Sequence, residues 1–342
     1  VTETSPAPVD FSALTAAVTA TEVTQFRRDA RGTDWPSTGA PVATLIGGSL
    51  VAVFVLALVV PSLIASDPVF GIVVGFVALA IVAGIVVFRM LAARARWASW
   101  LRLDRFADAN AMTFWPAAAA PGYPGSIFQQ GSDRTIRDRL TSTSGRYVDL
   151  ASYRYVTGSG KSRQVHEWGY LAIRLDHALP HIVLDARSNN GLFGSTNLPA
   201  EFSRSQRLSL EGDFDRYFTL YCPKDYERDA LYLLTPDLMA LLIDEAQDFD
   251  VEIVDDWLFV YASRALDLAD PAVTRRMFRI LGTVGAKATG RADRYSDDRQ
   301  GAVRGSSVAP QGRRLRRAFP VVGLTVTVVL AAWWLVRVLW VH

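Results

Sequence analysis

Two uncharged apolar runs stand almost back to back in this chain, Val42 to Ala65 and Val69 to Val87. Each reaches the roughly 20 residues that a helix needs to cross a hydrocarbon core, so both predict membrane-spanning helices. A third run, Phe319 to Val341, is interrupted only by Arg337. That arginine lies close enough to the end of the run for its stem to reach the headgroups, and Trp340 beside it suits an interface anchor. The sequence therefore predicts three transmembrane α-helices.

Arginines flank these runs asymmetrically. Arg27, Arg28 and Arg31 precede the first span, and Arg89, Arg94, Arg96, Arg102 and Arg105 follow the second. Arg313, Arg314, Arg316 and Arg317 precede the third, whereas the loop Ser66-Asp67-Pro68 carries no positive charge. All three basic flanks fall on one side if the N-terminus is cytoplasmic. The expectation is a multi-pass protein of a bacterial plasma membrane, with N-terminus and main domain cytoplasmic and C-terminus external. Gly71 and Gly75 form a small-residue pair that suits either self-association of two chains or packing against the first span.

The spans divide the chain into a cytoplasmic tail (1–41), a two-helix transmembrane hairpin (42–93), a cytoplasmic domain (97–290), a flexible basic linker (291–318) and the third helix (319–341). In the tail, Phe11, Leu14, Val18 and Phe26 recur at loosely helical spacing, which fits a weak amphipathic helix near the membrane or a disordered segment. The domain opens on an arginine-rich helix continuing from the second span, then reads as strands. These are Arg146 to Val156, Val165 to Leu175, His181 to Ala186, Arg207 to Leu210 and Tyr217 to Cys222. Helices follow over Asp225 to Leu234, from Thr235-Pro236-Asp237 with Thr235 as cap, and from Asp270-Pro271. Between them, Val251 to Ser263 reads as a hairpin turning at Asp255-Asp256. Antiparallel strands with late helices predict an α+β domain.

Site chemistry is sparse. The net charge of +2 argues against a dedicated nucleic-acid binder. Lone Cys222 excludes an internal disulfide framework and a cysteine zinc site, and its strand-like context predicts a buried apolar role. Gly158-Ser-Gly-Lys-Ser162 resembles the end of a phosphate loop, but Tyr155 stands where the first glycine belongs and a strand follows, so a hairpin turn is expected. His166, His177 and His181 form a loose cluster with Asp176 and Asp185. Metal-sharing histidines four apart need one helix face, and Pro180 within strand-like flanks opposes that. Asp248, Asp250, Asp255 and Asp256 read as turn and edge residues. No catalytic, cofactor-binding or metal-ligating residue is assigned, and no cofactor is implied.

At Leu198-Pro-Ala-Glu-Phe202, Leu208-Ser-Leu-Glu-Gly-Asp-Phe-Asp-Arg-Tyr-Phe218 and Tyr226 to Met239, the chain resembles an uncharacterised actinobacterial family of membrane-anchored proteins. Those proteins carry paired N-terminal spans and a cytosolic domain of unknown function. The resemblance implies the architecture but no activity and no site residues. The reading is a non-enzymatic interaction or scaffold domain held at the inner leaflet, in contact with the lipid bilayer and an unidentified protein partner. The alternative is a membrane-bound hydrolase or ligand sensor using His177, His181 and nearby carboxylates. A transporter role is disfavoured, since the spans hold no acid or histidine.

Overall fold

The computed structural model describes residues 8–30, 48, 60–61, 65–190, 196–199, 202–210, 212–295, 308 and 312–316. The chain divides into two compact units, Val1–Ala117 with Ala269–Pro271, and Ala118–Leu268 with Ala272–His342. The boundary falls inside strand β1 (Met112–Ala119), some twenty residues beyond the Trp97 start that the sequence suggested.

The first unit is helical. Two short helices, α1 (Ser12–Thr15) and α2 (Ala20–Asp29), precede the 42-residue α3 (Pro68–Ala109). Asp67 starts α3 by accepting the backbone N–H groups of Val69 and Phe70, both at 3.1 Å, and Pro68 occupies the first turn. The helix then runs without a break from apolar residues into arginine-rich ones. Its first half leaves large apolar side chains uncovered: Val69, Phe76 and Phe88 are each 69–74% exposed. Among the described residues, α3 is the helix long and apolar enough to cross a membrane. The other two expected spans, apart from Gly48, Val60, Pro61 and Ala65, lie outside the described residues. Gly75 packs against Val60, where an added Cβ would stand 3.2 Å from a methyl group.

The N-terminal tail is helical and lies against the far half of α3. Thr19 and Glu22 form a reciprocal capping box at the start of α2. Phe11 stacks on Phe106, Phe26 meets Trp97 edge-on, and Glu22 pairs with Arg105 at 2.7 Å. These three contacts run in opposite order along the two partners, so α2 points back towards the apolar half of α3.

The second unit is built on one long strand, β4 (Gln164–Ala186). One edge of β4 pairs first with β3 (Val148–Thr157) and later with β6 (Phe218–Tyr221); the other pairs with β7 (Asp250–Ala262). Beyond β3 lies β2 (Ser132–Ser142), and beyond β6 the short β5 (Arg207–Leu208), all antiparallel. Helices α4 (Glu227–Leu233), α5 (Pro236–Ala246), α6 (Pro271–Ile280) and α7 (Ala286–Ala292) follow. The α+β expectation thus holds for this unit.

Two of the expected strand breaks are bulges. Val165–Leu175 and His181–Ala186 are one strand, and Val251–Ser263 is one strand rather than a hairpin. Pairing of β4 with β7 shifts register between Arg174 and Leu179 and again before Ile182, and Asp255 has φ +53°. A bulge inserts an unpaired residue, which reverses the alternation of faces beyond it. In β7 the inward residues are therefore Glu252 and Val254 before the bulge, then Trp257, Phe259 and Tyr261 after it. In β4 they are Trp168, Tyr170 and Ala172, then His181 and Val183. The irregularity also gives Pro180, which lacks a ladder donor, a tolerable place.

The bulges bend the sheet around an aromatic core. Trp257, Phe259 and Tyr261 stack in sequence at 5.8 and 5.7 Å, and Phe128 packs against Tyr153, Tyr170 and Phe259. Each such ring contributes about 2–3 kcal/mol by burial. The opposite face, with Ile182, Leu184, Val251 and Ile253, packs on Leu238, Leu242 and Val284 of the helical layer. Thr235 does not cap α5 as expected; its hydroxyl is buried and makes no hydrogen bond.

Candidate functional site

On the concave face of the sheet, His181 and Glu252 meet on neighbouring strands. They are 5% and 2% exposed. His181 Nε2 lies 2.8 Å from Glu252 Oε1. Glu252 Oε2 accepts the Ser126 backbone N–H at 2.7 Å and the Tyr261 hydroxyl at 2.8 Å. Tyr261 is nine residues further along the same strand, so this bond closes across the bend made at Asp255. Burial pushes the Glu252 carboxyl up, but the bonds from His181, Ser126 and Tyr261 outweigh it and hold the group below the ordinary range.

The other ring nitrogen is also engaged. Leu315 donates its backbone N–H to His181 Nδ1 at 3.0 Å, which leaves the ring proton on Nε2, facing Glu252. A histidine closed at both nitrogens is a positioning group with no free nitrogen for a substrate proton. It fastens residues 312–316, within the expected linker, to the sheet. Arg314 forks onto Asp255 at 2.7 and 2.8 Å, the Arg316 N–H donates to Gln206, and Ser203 donates to the Arg316 carbonyl. Asp255 and Asp256 are ion-paired at the bulge, with Arg314 and Arg174 respectively.

A second buried charge lies at the centre of β3. Asp149, fully enclosed, takes the Arg139 guanidinium at 3.0 and 2.8 Å and the hydroxyls of Tyr123 at 2.6 Å and Tyr170 at 3.1 Å. Burial and the Asp149 charge push both phenols well above their usual range, so both remain donors.

The third cluster corrects the edge reading of Asp250, which is wholly buried. Its carboxyl accepts the Ala186 N–H at 2.8 Å and the Asn189 amide at 3.2 Å. Burial, with a smaller push from Asp185, still raises it to about 8, so at neutral pH Asp250 is predominantly protonated. Asn197 stands beside it without hydrogen-bond geometry, and the Asn189 side-chain oxygen is buried without a partner. A protonated Asp250 offers these buried oxygens a donor.

The sequence cluster of histidines does not assemble. His166 stacks on Tyr155 at 4.7 Å and bonds Thr157, His177 is half-exposed, and His181 belongs to Glu252. Among the described residues no group of three or more His, Cys, Asp or Glu side chains is placed to hold a metal. Cys222 is buried, and burial pushes its thiol up to about 12. Gly158 to Ser162 is the hairpin turn between β3 and β4. Glu252, Asp149 and Asp250 escaped sequence reasoning because a lone acid in a strand carries no mark of its partners; only the inward phase of β7 could have exposed two of them.

The chain is thus an antiparallel α+β unit together with a helical unit that bears one long apolar helix. No family model and no curated protein matches it. Among solved structures, the crystal structure of the mycobacterial trehalose monomycolate transport factor A is similar over 54% of this chain and 96% of that one. The identity is 10% and the TM-score 0.35, a likeness that carries no argument about function.

Proposed function

We propose that this protein is an integral protein of a bacterial plasma membrane that presents its α+β unit in the cytoplasm as an interaction module for a protein partner. The observation that carries the reading is α3, whose first half exposes apolar side chains and whose second half is charged and covered by α2. Pro68 to Phe88 spans about 31 Å at 1.5 Å per residue, matching a hydrocarbon core. Arginines then crowd its cytoplasmic end, as the positive-inside rule requires. The strap at Gly312–Arg316 supports a tethered unit, because it joins the domain to the chain leading to the third apolar run. Three spans, an external C-terminus and self-association through Gly71 and Gly75 are finer parts of the same proposal.

The test is crosslinked co-purification of the full chain from carbonate-washed native membranes, with a deletion of Trp97 to Gly290 as control. A stoichiometric protein lost with the deletion is the expected result. Release of the chain by carbonate, or a pull-down unchanged by the deletion, overturns the proposal.

A further inference from the structure

Between α2 and α3 lies a cavity of about 650 Å³, open to solvent at the end of α2 nearest the apolar half of α3. Met90, Leu91 and Trp97 form its apolar wall, and Arg27, Arg28 and Arg94 line it with positive charge. We propose that this groove binds the headgroup of an anionic phospholipid of the inner leaflet, an inference that rests on the membrane reading of α3.

Depth is the first argument. Arg89 is the first charged residue after the apolar stretch, so Met90 to Arg94 begin where the hydrocarbon core ends. Polar headgroups occupy roughly the next 5–7 Å on each side, and the rise from Phe88 to Arg94 is about 9 Å. Met90 and Leu91 are 66% and 60% exposed, an apolar surface at the depth of the glycerol backbone. Arg27 lies over the Trp97 ring, a polar-and-aromatic pairing suited to an interface.

Charge is the second. Arginines elsewhere are matched with carboxylates, as in Arg105 with Glu22 and Arg139 with Asp149. Arg28 and Arg94 have no ion-pair partner among the described residues, and the groove lining contains no acid. Three guanidiniums held together without a counter-charge repel one another, and a phosphodiester supplies the missing anion with a geometry that guanidinium groups match. The groove is held open by contacts that do not involve Arg28 or Arg94: Glu22 to Arg105, Phe26 to Trp97, and the Arg102 bond to the Ala16 carbonyl.

The test uses the purified full chain in nanodiscs of phosphatidylcholine containing phosphatidylglycerol. Lipid retained on release from the discs is counted by native mass spectrometry. Arg28→Gln with Arg94→Gln should lower the preference for phosphatidylglycerol on the order of thirtyfold, at about fivefold per arginine. Arg89→Gln with Arg96→Gln removes the same charge outside the groove and should lower it far less. Equal loss in both pairs overturns the groove, because the attraction is then diffuse. Displacement of the lipid by inorganic phosphate overturns the lipid as occupant. A wild-type chain that fails to insert into the discs refutes the membrane reading itself, while a chain that inserts without preferring phosphatidylglycerol refutes the groove alone.

Discussion

Raising the pH from 5 to 8 should destabilise this protein, and Asp250 should be the main cause. Its carboxyl is buried on every side, beside Asp185, whose own carboxyl burial also raises. With a folded value of about 8 against an ordinary value of 3.8, Asp250 keeps a proton in the folded state that the unfolded chain has released. Stability then falls as pH rises between those limits, by up to about 1.4 kcal/mol per pH unit. Over pH 5 to 8 that is at most about 4 kcal/mol, and about half as much if the structure relaxes around the charge. For a unit of this size each kcal/mol moves the melting temperature by about 2–4 °C, so a drop of roughly 5–15 °C is expected. Glu252 adds no slope of this sign, since its depressed value makes its contribution complete above pH 5. Asp250→Asn keeps the acceptor for the Ala186 N–H and should flatten the profile. Melting curves of the full chain in detergent at pH 5, 6, 7 and 8, by near-ultraviolet circular dichroism, read both slopes. A wild-type profile that is flat or rising, or a variant that keeps the wild-type slope, refutes the reasoning.

Other perturbations test the remaining clusters. His181→Ala leaves Glu252 short of a donor and the Leu315 N–H without its acceptor, at a cost of about 3 kcal/mol or more. It should also speed trypsin cleavage at Arg313, Arg314 and Arg316, and an unchanged digestion rate would deny that His181 holds the strap. Phe128→Ala removes a ring at the centre of the aromatic core and should cost about 3–5 kcal/mol in chemical unfolding; a loss below 1 kcal/mol would show that the sheet does not close on it. Cysteines at Val60 and Gly75 should oxidise within one chain and leave a monomer on a non-reducing gel, whereas a disulfide-linked dimer would favour self-association through Gly75. Native Cys222 should not react with maleimide, being buried with a raised thiol.

What the sequence disclosed follows from which signals are local. The Thr235-Pro236 and Asp270-Pro271 helix starts and the turn at Gly158 to Ser162 are written in adjacent residues, and the elements begin there. Bulges are different: at Asp255 and around Pro180 the inward residues change phase, and a phase change reads as two strands. Strand β2 was missed because in Ser-Asp-Arg-Thr-Ile-Arg-Asp-Arg-Leu-Thr-Ser only Ile136 and Leu140 are buried, four residues apart, with Asp138 at φ +51° between them. The buried acids depend on partners far away in sequence, Ser126 and His181 for Glu252 and Arg139 and Tyr170 for Asp149, which no window of sequence contains. Of the groove, the arginines and Trp97 were visible, but the approach of α2 depends on Glu22 reaching Arg105.

The central claim is that α3 crosses the membrane with the α+β unit in the cytoplasm. Its most direct test is a pair of single cysteines, Ser66→Cys before α3 and Lys161→Cys in the exposed turn of the domain, labelled with a membrane-impermeant maleimide in sealed right-side-out vesicles. The account predicts that position 66 is labelled at once and position 161 only after the vesicles are opened. Labelling of position 161 in sealed vesicles would contradict it.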